Sequence, residues 1–142
     1  MDSVDPPLKE GTKLTIVKPD IGLSTPEVFR ALEYNKLSKE DPKSLLDRFL
    51  KEGVVDIGDD AYINDLEFPA FKVVPELKQL KDELKTVPGF SHVCMSGSGT
   101  SIFCIGEPSN KAAFDTDFGQ RSELKVFHTK FITRDNEQTW WA

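Results

Sequence analysis

The sequence predicts an α+β domain, an antiparallel sheet with helices on one face. Three observations predict it. Leu14-Thr15-Ile16-Val17 is a β-branched run, and residues 91–95 and 102–106 are short apolar runs bounded by turn residues, so all three read as strands. The interval between the first run and the second carries helical periodicity instead. Leu124 to Thr133 alternates well enough for a last strand, with Val126, His128 and Lys130 set against Phe127 and Phe131. Strands and helices that must cover one another's apolar faces are met most simply by a sheet backed with helices.

Residues 1–12 are polar, carry Pro6 and Pro7, and show no periodicity, so they read as an irregular lead. Lys18-Pro19 ends the first strand. Ser24-Thr25-Pro26-Glu27 is a helix start: a hydroxyl able to cap, a proline suited to the first turn, and an acid at the positive end of the dipole. Val28, Phe29 and Leu32 mark one face of this helix, which ends before Asn35. Asp41-Pro42 opens a second helix, with Leu45, Leu46, Phe49 and Leu50 at helical spacing and Gly53 as its stop. Ile57 to Asp60 reads as a loop, and Ile63 to Phe71 as a partly helical stretch limited by Pro69. Pro75 to Leu84 is the clearest helix, with Leu77, Leu80 and Leu84 inside and Lys78, Lys81 and Lys85 outside. Pro88-Gly89 is a turn. Residues 107–123 hold several Gly, Pro, Ser and Asp and read as a loop. Trp140-Trp141 reads as an indole pair tucked against the domain.

A chain of 142 residues fits one domain with a core of its own. A net charge of −6 argues against nucleic acid and anionic membrane as partners, because both repel it. No apolar stretch approaches the length of a membrane span. The first ten residues lack a basic start with an apolar stretch, and lack Arg- and Ser-rich character. Cys94 and Cys104 flank one loop and can be neighbours if those flanks pair, but two cysteines without further ligands read as small buried hydrophobes rather than a metal site. His92 and His128 complete no ligand spacing, and Asn64, Asp65 and Glu67 read as helix-start residues, so no metal is expected here.

The loop between those cysteines is the most informative segment. Met95-Ser96-Gly97-Ser98-Gly99-Thr100-Ser101 places two glycines one residue apart between strands. Glycines there permit positive φ, and consecutive amides in such a turn can converge on an anion. No Lys stands where a P-loop needs one, and the third glycine and helix of a dinucleotide fingerprint are absent. Local sequence leaves two readings open: an anion cradle, and a hairpin whose glycines serve geometry alone.

Met95-Ser96-Gly97-Ser98-Gly99 before an apolar strand resembles the third motif of the GHMP kinase superfamily. Ile63-Asn64-Asp65-Leu66-Glu67 before Pro69-Ala70-Phe71, and Val17-Lys18-Pro19 before Ser24-Thr25-Pro26-Glu27-Val28-Phe29, narrow the resemblance to the 4-diphosphocytidyl-2-C-methyl-D-erythritol kinases, and Phe131-Ile132-Thr133-Arg134 to their plant-type form. The similarity runs from about Leu14 to about Trp140. It implies that residues 13–142 form the ferredoxin-like carboxy-terminal domain of such a kinase, the amino-terminal ATP-binding domain having no counterpart here. It further implies ATP and Mg as cofactors of the complete enzyme, not held by this half alone, and a plastid location. The substrate implied is 4-diphosphocytidyl-2-C-methyl-D-erythritol, phosphorylated on its 2-hydroxyl in the non-mevalonate isoprenoid pathway.

The same resemblance implies that Gly97, Ser98, Gly99 and Thr100 lie at the substrate site, and that Phe29 stacks on the cytosine ring with Thr25 beside it. From residues alone Phe29 reads as a core side chain. No catalytic residue is expected in this half, and no turnover from it alone. Another kinase of the superfamily and a non-catalytic interaction domain of the same fold are the alternative readings.

Overall fold

The computed structural model describes residues 11–97 and 99–132. Most of the irregular lead, Ser98 and the Trp140-Trp141 pair lie outside the described residues. The elements run β1 (Lys13–Pro19), α1 (Thr25–Arg30), α2 (Pro42–Glu52), α3 (Glu67–Val73), α4 (Pro75–Lys85), β2 (Phe90–Met95), β3 (Ile102–Gly106), α5 (Lys111–Asp117) and β4 (Leu124–Lys130). Short 3-10 turns at Tyr34–Lys36 and Asp59–Ala61 join the early helices.

The four strands form one antiparallel sheet in the order β2-β3-β1-β4. β2 and β3 are joined as a hairpin through the glycine loop, and β3 then inserts beside β1. This arrangement needs two crossovers: helices between β1 and β2, and another between β3 and β4, because the strands each pair joins run in the same direction. It is the ferredoxin-like order that the family resemblance implies.

α4 and α5 cover one face. Val17 of β1, Val93 of β2 and Ile102 and Cys104 of β3 meet Leu80 and Leu84 of α4, Phe114 of α5 and Phe118 just after it in the main core. An irregularity between Phe90 and His92 in the β2–β3 pairing lets Phe90 join Val93 on this face, where its ring meets Phe114 edge-on. A second cluster gathers Val28 of α1, Ala70 of α3, Leu77 of α4 and Met95 at the end of β2. It fixes α1 and α3 beside the sheet end that carries the glycine loop.

Among the described residues the other face is covered only at the β2 edge. There His92 stacks on Tyr62 at 4.2 Å between ring centroids, and Phe49 of α2 meets Tyr62 edge-on at 5.4 Å. His92 also places its two ring nitrogens against the Asp59 carboxylate and the Val55 carbonyl, so one histidine pins residues 55–62 to the sheet.

Residues 107–123 correct the sequence reading, since they contain α5. Asn110 caps it, accepting a bond from the Ala113 amide at 3.0 Å, and Phe114 and Phe118 bury one turn apart. The segment is short and its flanks are turn-like, so periodicity is faint. Pro69 is accommodated in the first turn of α3, where no intrahelical donor is lost. Cys94 and Cys104 are both buried free thiols but not partners: Val93 pairs with Cys104 and Cys94 with Phe103, which sends the two thiols to opposite faces.

Candidate functional site

The site is built on the loop from Ser96 to Ser101. The loop closes with the Ser96 amide on the Ser101 carbonyl at 2.9 Å and the Gly99 amide on the Ser96 carbonyl at 3.1 Å. Gly97 and Gly99 have φ of 56° and 101°, conformations side-chain-bearing residues rarely adopt. The two differ in surroundings. A Cβ on Gly97 would meet nothing within 4 Å, whereas one on Gly99 would lie 2.9 Å from Leu23 Cδ2. Gly99 is therefore a point of close packing and Gly97 a point of open approach.

The loop is exposed at Ser96, Gly97 and Gly99 and half-buried at Thr100. The Gly99 amide is engaged inside the turn, so it does not join a cradle in this conformation. The amides of Gly97 and Thr100 have no acceptor among the described residues. Thr100 leans toward β1, its hydroxyl 3.5 Å from the Pro19 carbonyl.

Three side chains outside the loop hold it in place. The side-chain amide of Asn64 donates to the Met95 carbonyl at 2.8 Å and the Gly97 carbonyl at 2.7 Å, while its oxygen accepts from the Leu66 amide at 3.1 Å. Glu67 accepts from the Met95 amide at 3.0 Å and pairs through both oxygens, at 2.9 Å each, with Lys81 of α4. Asn64 thus ties two carbonyls at the turn, while the Gly97 and Thr100 amides keep no acceptor among the described residues.

Leu23 links this loop to the start of α1, two residues before Thr25. On α1 the buried residue is Val28, and Phe29 is 52% exposed. The core reading of Phe29 is overturned: in a helix of 6 residues packed through Val28, the next position turns outward. Thr25 is exposed at the first position of the same helix. On the other side of the loop a cavity of about 440 Å³ is lined by Phe49, Tyr62, Asn64, Met95, Gly97 and Phe103.

The described thiols and the Tyr62 phenol are held in their protonated forms. Burial pushes the Cys94 thiol up to about 11, with the Glu67 charge adding to it, and burial pushes Cys104 to about 12. Both remain protonated at neutral pH. Tyr62 is likewise raised to about 12, chiefly by burial. The carboxylates near the loop are engaged in structure, Glu67 with Lys81 and Asp65 with the amide (2.9 Å) and hydroxyl (3.3 Å) of Ser38. Among the described residues no three His, Cys, Asp or Glu side chains converge as a cation site.

The sequence motifs point to the loop and to Phe29 and Thr25, but not to Asn64, Glu67 and Lys81 as its supports. Asn64 bonds 33 residues ahead and Glu67 meets Lys81 on a different helix, and neither pairing leaves a local signal.

Comparison with known proteins decides the family. The family described as GHMP kinases C terminal matches residues 45–120. This chain belongs to the GHMP kinases. The relatives it resembles include the chloroplastic 4-diphosphocytidyl-2-C-methyl-D-erythritol kinase of Mentha piperita, 34% identical over 100% of this chain and 34% of that protein. The chloroplastic kinase of the same name from Oryza sativa subsp. japonica is 36% identical over 99% of this chain and 34% of that protein. One of Protochlamydia amoebophila is 39% identical over 92% of this chain and 38% of that protein. The chain therefore spans about a third of the length of these curated relatives. A crystal structure of 4-(cytidine 5'-diphospho)-2C-methyl-D-erythritol kinase superposes with a TM-score of 0.62 at 25% identity, covering 84% of this chain and 42% of that one. A homoserine kinase from Cytophaga hutchinsonii, at 19% identity and a TM-score of 0.59, covers 90% of this chain and 44% of that one and supports the GHMP fold alone.

Proposed function

We propose that this chain is the substrate-binding part of a kinase that moves the γ-phosphate of ATP to the 2-hydroxyl of 4-diphosphocytidyl-2-C-methyl-D-erythritol. The observation that carries the reading is the glycine loop: exposed, with two carbonyls tied by Asn64 and the Gly97 and Thr100 amides without acceptors among the described residues. Names of relatives that align along the whole chain support the substrate.

Gly97, Ser98, Gly99 and Thr100 surround the phosphate groups of the substrate in this reading, although Ser98 lies outside the described residues. Gly99 serves through its tight turn rather than its amide. Phe29, exposed on α1, offers a face to the cytosine ring, with Thr25 beside it. Phosphoryl transfer also needs a nucleotide cradle, a divalent cation and a group that handles the hydroxyl proton. The described residues do not fit that cation, so no step is assigned to Mg here. ATP and Mg belong in this reading to an amino-terminal domain of the kind that fills the remaining length of the relatives.

A surface suited to that domain exists. Leu14, Ile16, Phe103, Phe127 and Phe131 lie on the sheet face that α4 and α5 leave bare, where Phe127 is 51% exposed. A cavity of about 460 Å³ there reaches Ser96 and Ser101. Such an apolar face beside the loop favours a partnered domain over a self-sufficient interaction module. The plastid location is proposed from the plant relatives, which are named chloroplastic.

The test is an ATP-coupled assay. The chain alone should give no turnover, and mixing or joining it with the amino-terminal domain of the Mentha piperita relative should give ATP-dependent phosphorylation of the substrate. Family-like rates from the chain alone, or none from a folded combination, would refute the proposal.

A further inference from the structure

At the end of the sheet away from the glycine loop, β1 and β4 put Lys13 and Lys130 directly opposite each other. Alternation along β1 places Lys13 on the same face as Thr15 and Val17, under α5. Lys111, the first residue of α5, lies over this end of the sheet. The three lysines line one cavity of about 360 Å³ together with Thr15 and His128. Lys13, Lys111 and Lys130 form no ion pair with any described residue, and Glu107, the acid in the lining, pairs with none of them.

The inner wall is polar and anchored. His128 is held through Nε2 by Asp115 of α5 at 2.8 Å, which leaves Nδ1 facing the Thr15 hydroxyl at 3.5 Å. Thr15 is 1% exposed and its hydroxyl has only long contacts, the other being to the Gly106 carbonyl at 3.4 Å. Three ammonium groups against two carboxylates, Glu107 in the lining and Asp115 on His128, leave the recess net positive within a chain of net charge −6. Like charges directly across a strand pair repel, and an anion between them removes that repulsion.

We propose that Lys13, Lys111 and Lys130 bind a compact phosphate-bearing anion, of the class of inorganic diphosphate, at a site separate from the glycine loop. From Lys13 to Pro19, whose carbonyl faces Thr100, β1 covers roughly 20 Å at about 3.3 Å per residue. One small anion cannot span both places. The ammonium groups supply both the charge and the donors, since the ring nitrogens of His128 face Asp115 and Thr15 and the Thr15 hydroxyl is buried between His128 and the Gly106 carbonyl.

A second opposed pair supplies the control. Lys18 and Lys125 also face each other across β1 and β4, on the opposite face and outside the cavity lining. Titrating the isotopically labelled chain with inorganic diphosphate, at ionic strength matched with chloride, should move the amide signals of Lys13, Lys111 and Lys130 saturably. Lys13→Ala with Lys130→Ala should weaken that binding about tenfold or more, and Lys18→Ala with Lys125→Ala should change it less than about twofold. Inorganic phosphate should bind more weakly than diphosphate. Shifts confined to Gly97 and Thr100, equal loss in both lysine pairs, or no saturable shift would each overturn the site.

Discussion

The side-chain nitrogen of Asn64 lies 2.7 Å from the carbonyl oxygen of Gly97, and 2.8 Å from that of Met95. One amide group thus holds two carbonyls at the β2–β3 turn.

Asn64→Ala leaves two carbonyls without this donor. A loss of about 1–3 kcal/mol is expected in urea denaturation. Asn64→Asp should be at least as harmful, because a carboxylate would face two carbonyl oxygens. Equal stability of Asn64→Ala and the parent chain would mean the clamp contributes nothing.

Glu67 and Lys81 are a largely buried pair, with side chains 14% and 17% exposed. Glu67→Gln alone is expected to cost about 2 kcal/mol, because Lys81 keeps its charge without its partner. Glu67→Gln combined with Lys81→Met should cost less than the sum of the two single changes, as a double-mutant cycle would show. Strict additivity would rule out coupling at this pair.

The two loop glycines separate conformation from packing. Gly97→Ala meets open space, so about 1 kcal/mol of backbone strain is its main cost. Gly99→Ala adds a contact of 2.9 Å with Leu23 to a φ of 101°, so its cost should be larger, above about 1 kcal/mol. Thermal denaturation of the two variants should rank them in that order.

Alkaline pH should destabilise the fold through Cys94, Cys104 and Tyr62. Their folded values of about 11, 12 and 12 lie above ordinary values of 9.0, 9.0 and 10.0. The native state therefore holds protons that the unfolded chain releases first, and stability falls as pH rises. The contribution is complete below about pH 9 and is lost progressively up to about pH 12. Urea midpoints measured across this range should decline steadily, and a flat profile would contradict the burial of these groups.

Much of this fold was legible because local chemistry announced it. Leu77, Leu80 and Leu84 marked α4, Ser24-Thr25-Pro26 marked the start of α1, and the apolar runs marked β2 and β3. α5 is hidden because its 7 residues hold Phe114 alone as a large apolar side chain, with Phe118 just past its end, and the need for a crossover there appears only once β3 lies beside β1. Phe29 was assigned to an apolar face by spacing, but a helix of 6 residues buries a single position well. The loop itself stood out through its glycines, whereas Asn64, Glu67 and Lys81 support it by contacts between distant segments that no window of sequence contains.

The most direct measurement is a titration of the folded chain with 4-diphosphocytidyl-2-C-methyl-D-erythritol, followed through backbone amide signals. Saturable changes at Gly97, Thr100 and the Thr25–Arg30 helix are predicted, and Phe29→Ala should weaken binding about tenfold while leaving stability nearly unchanged. Unchanged signals at those positions, or binding indifferent to Phe29, would contradict a substrate site formed by this loop and this helix.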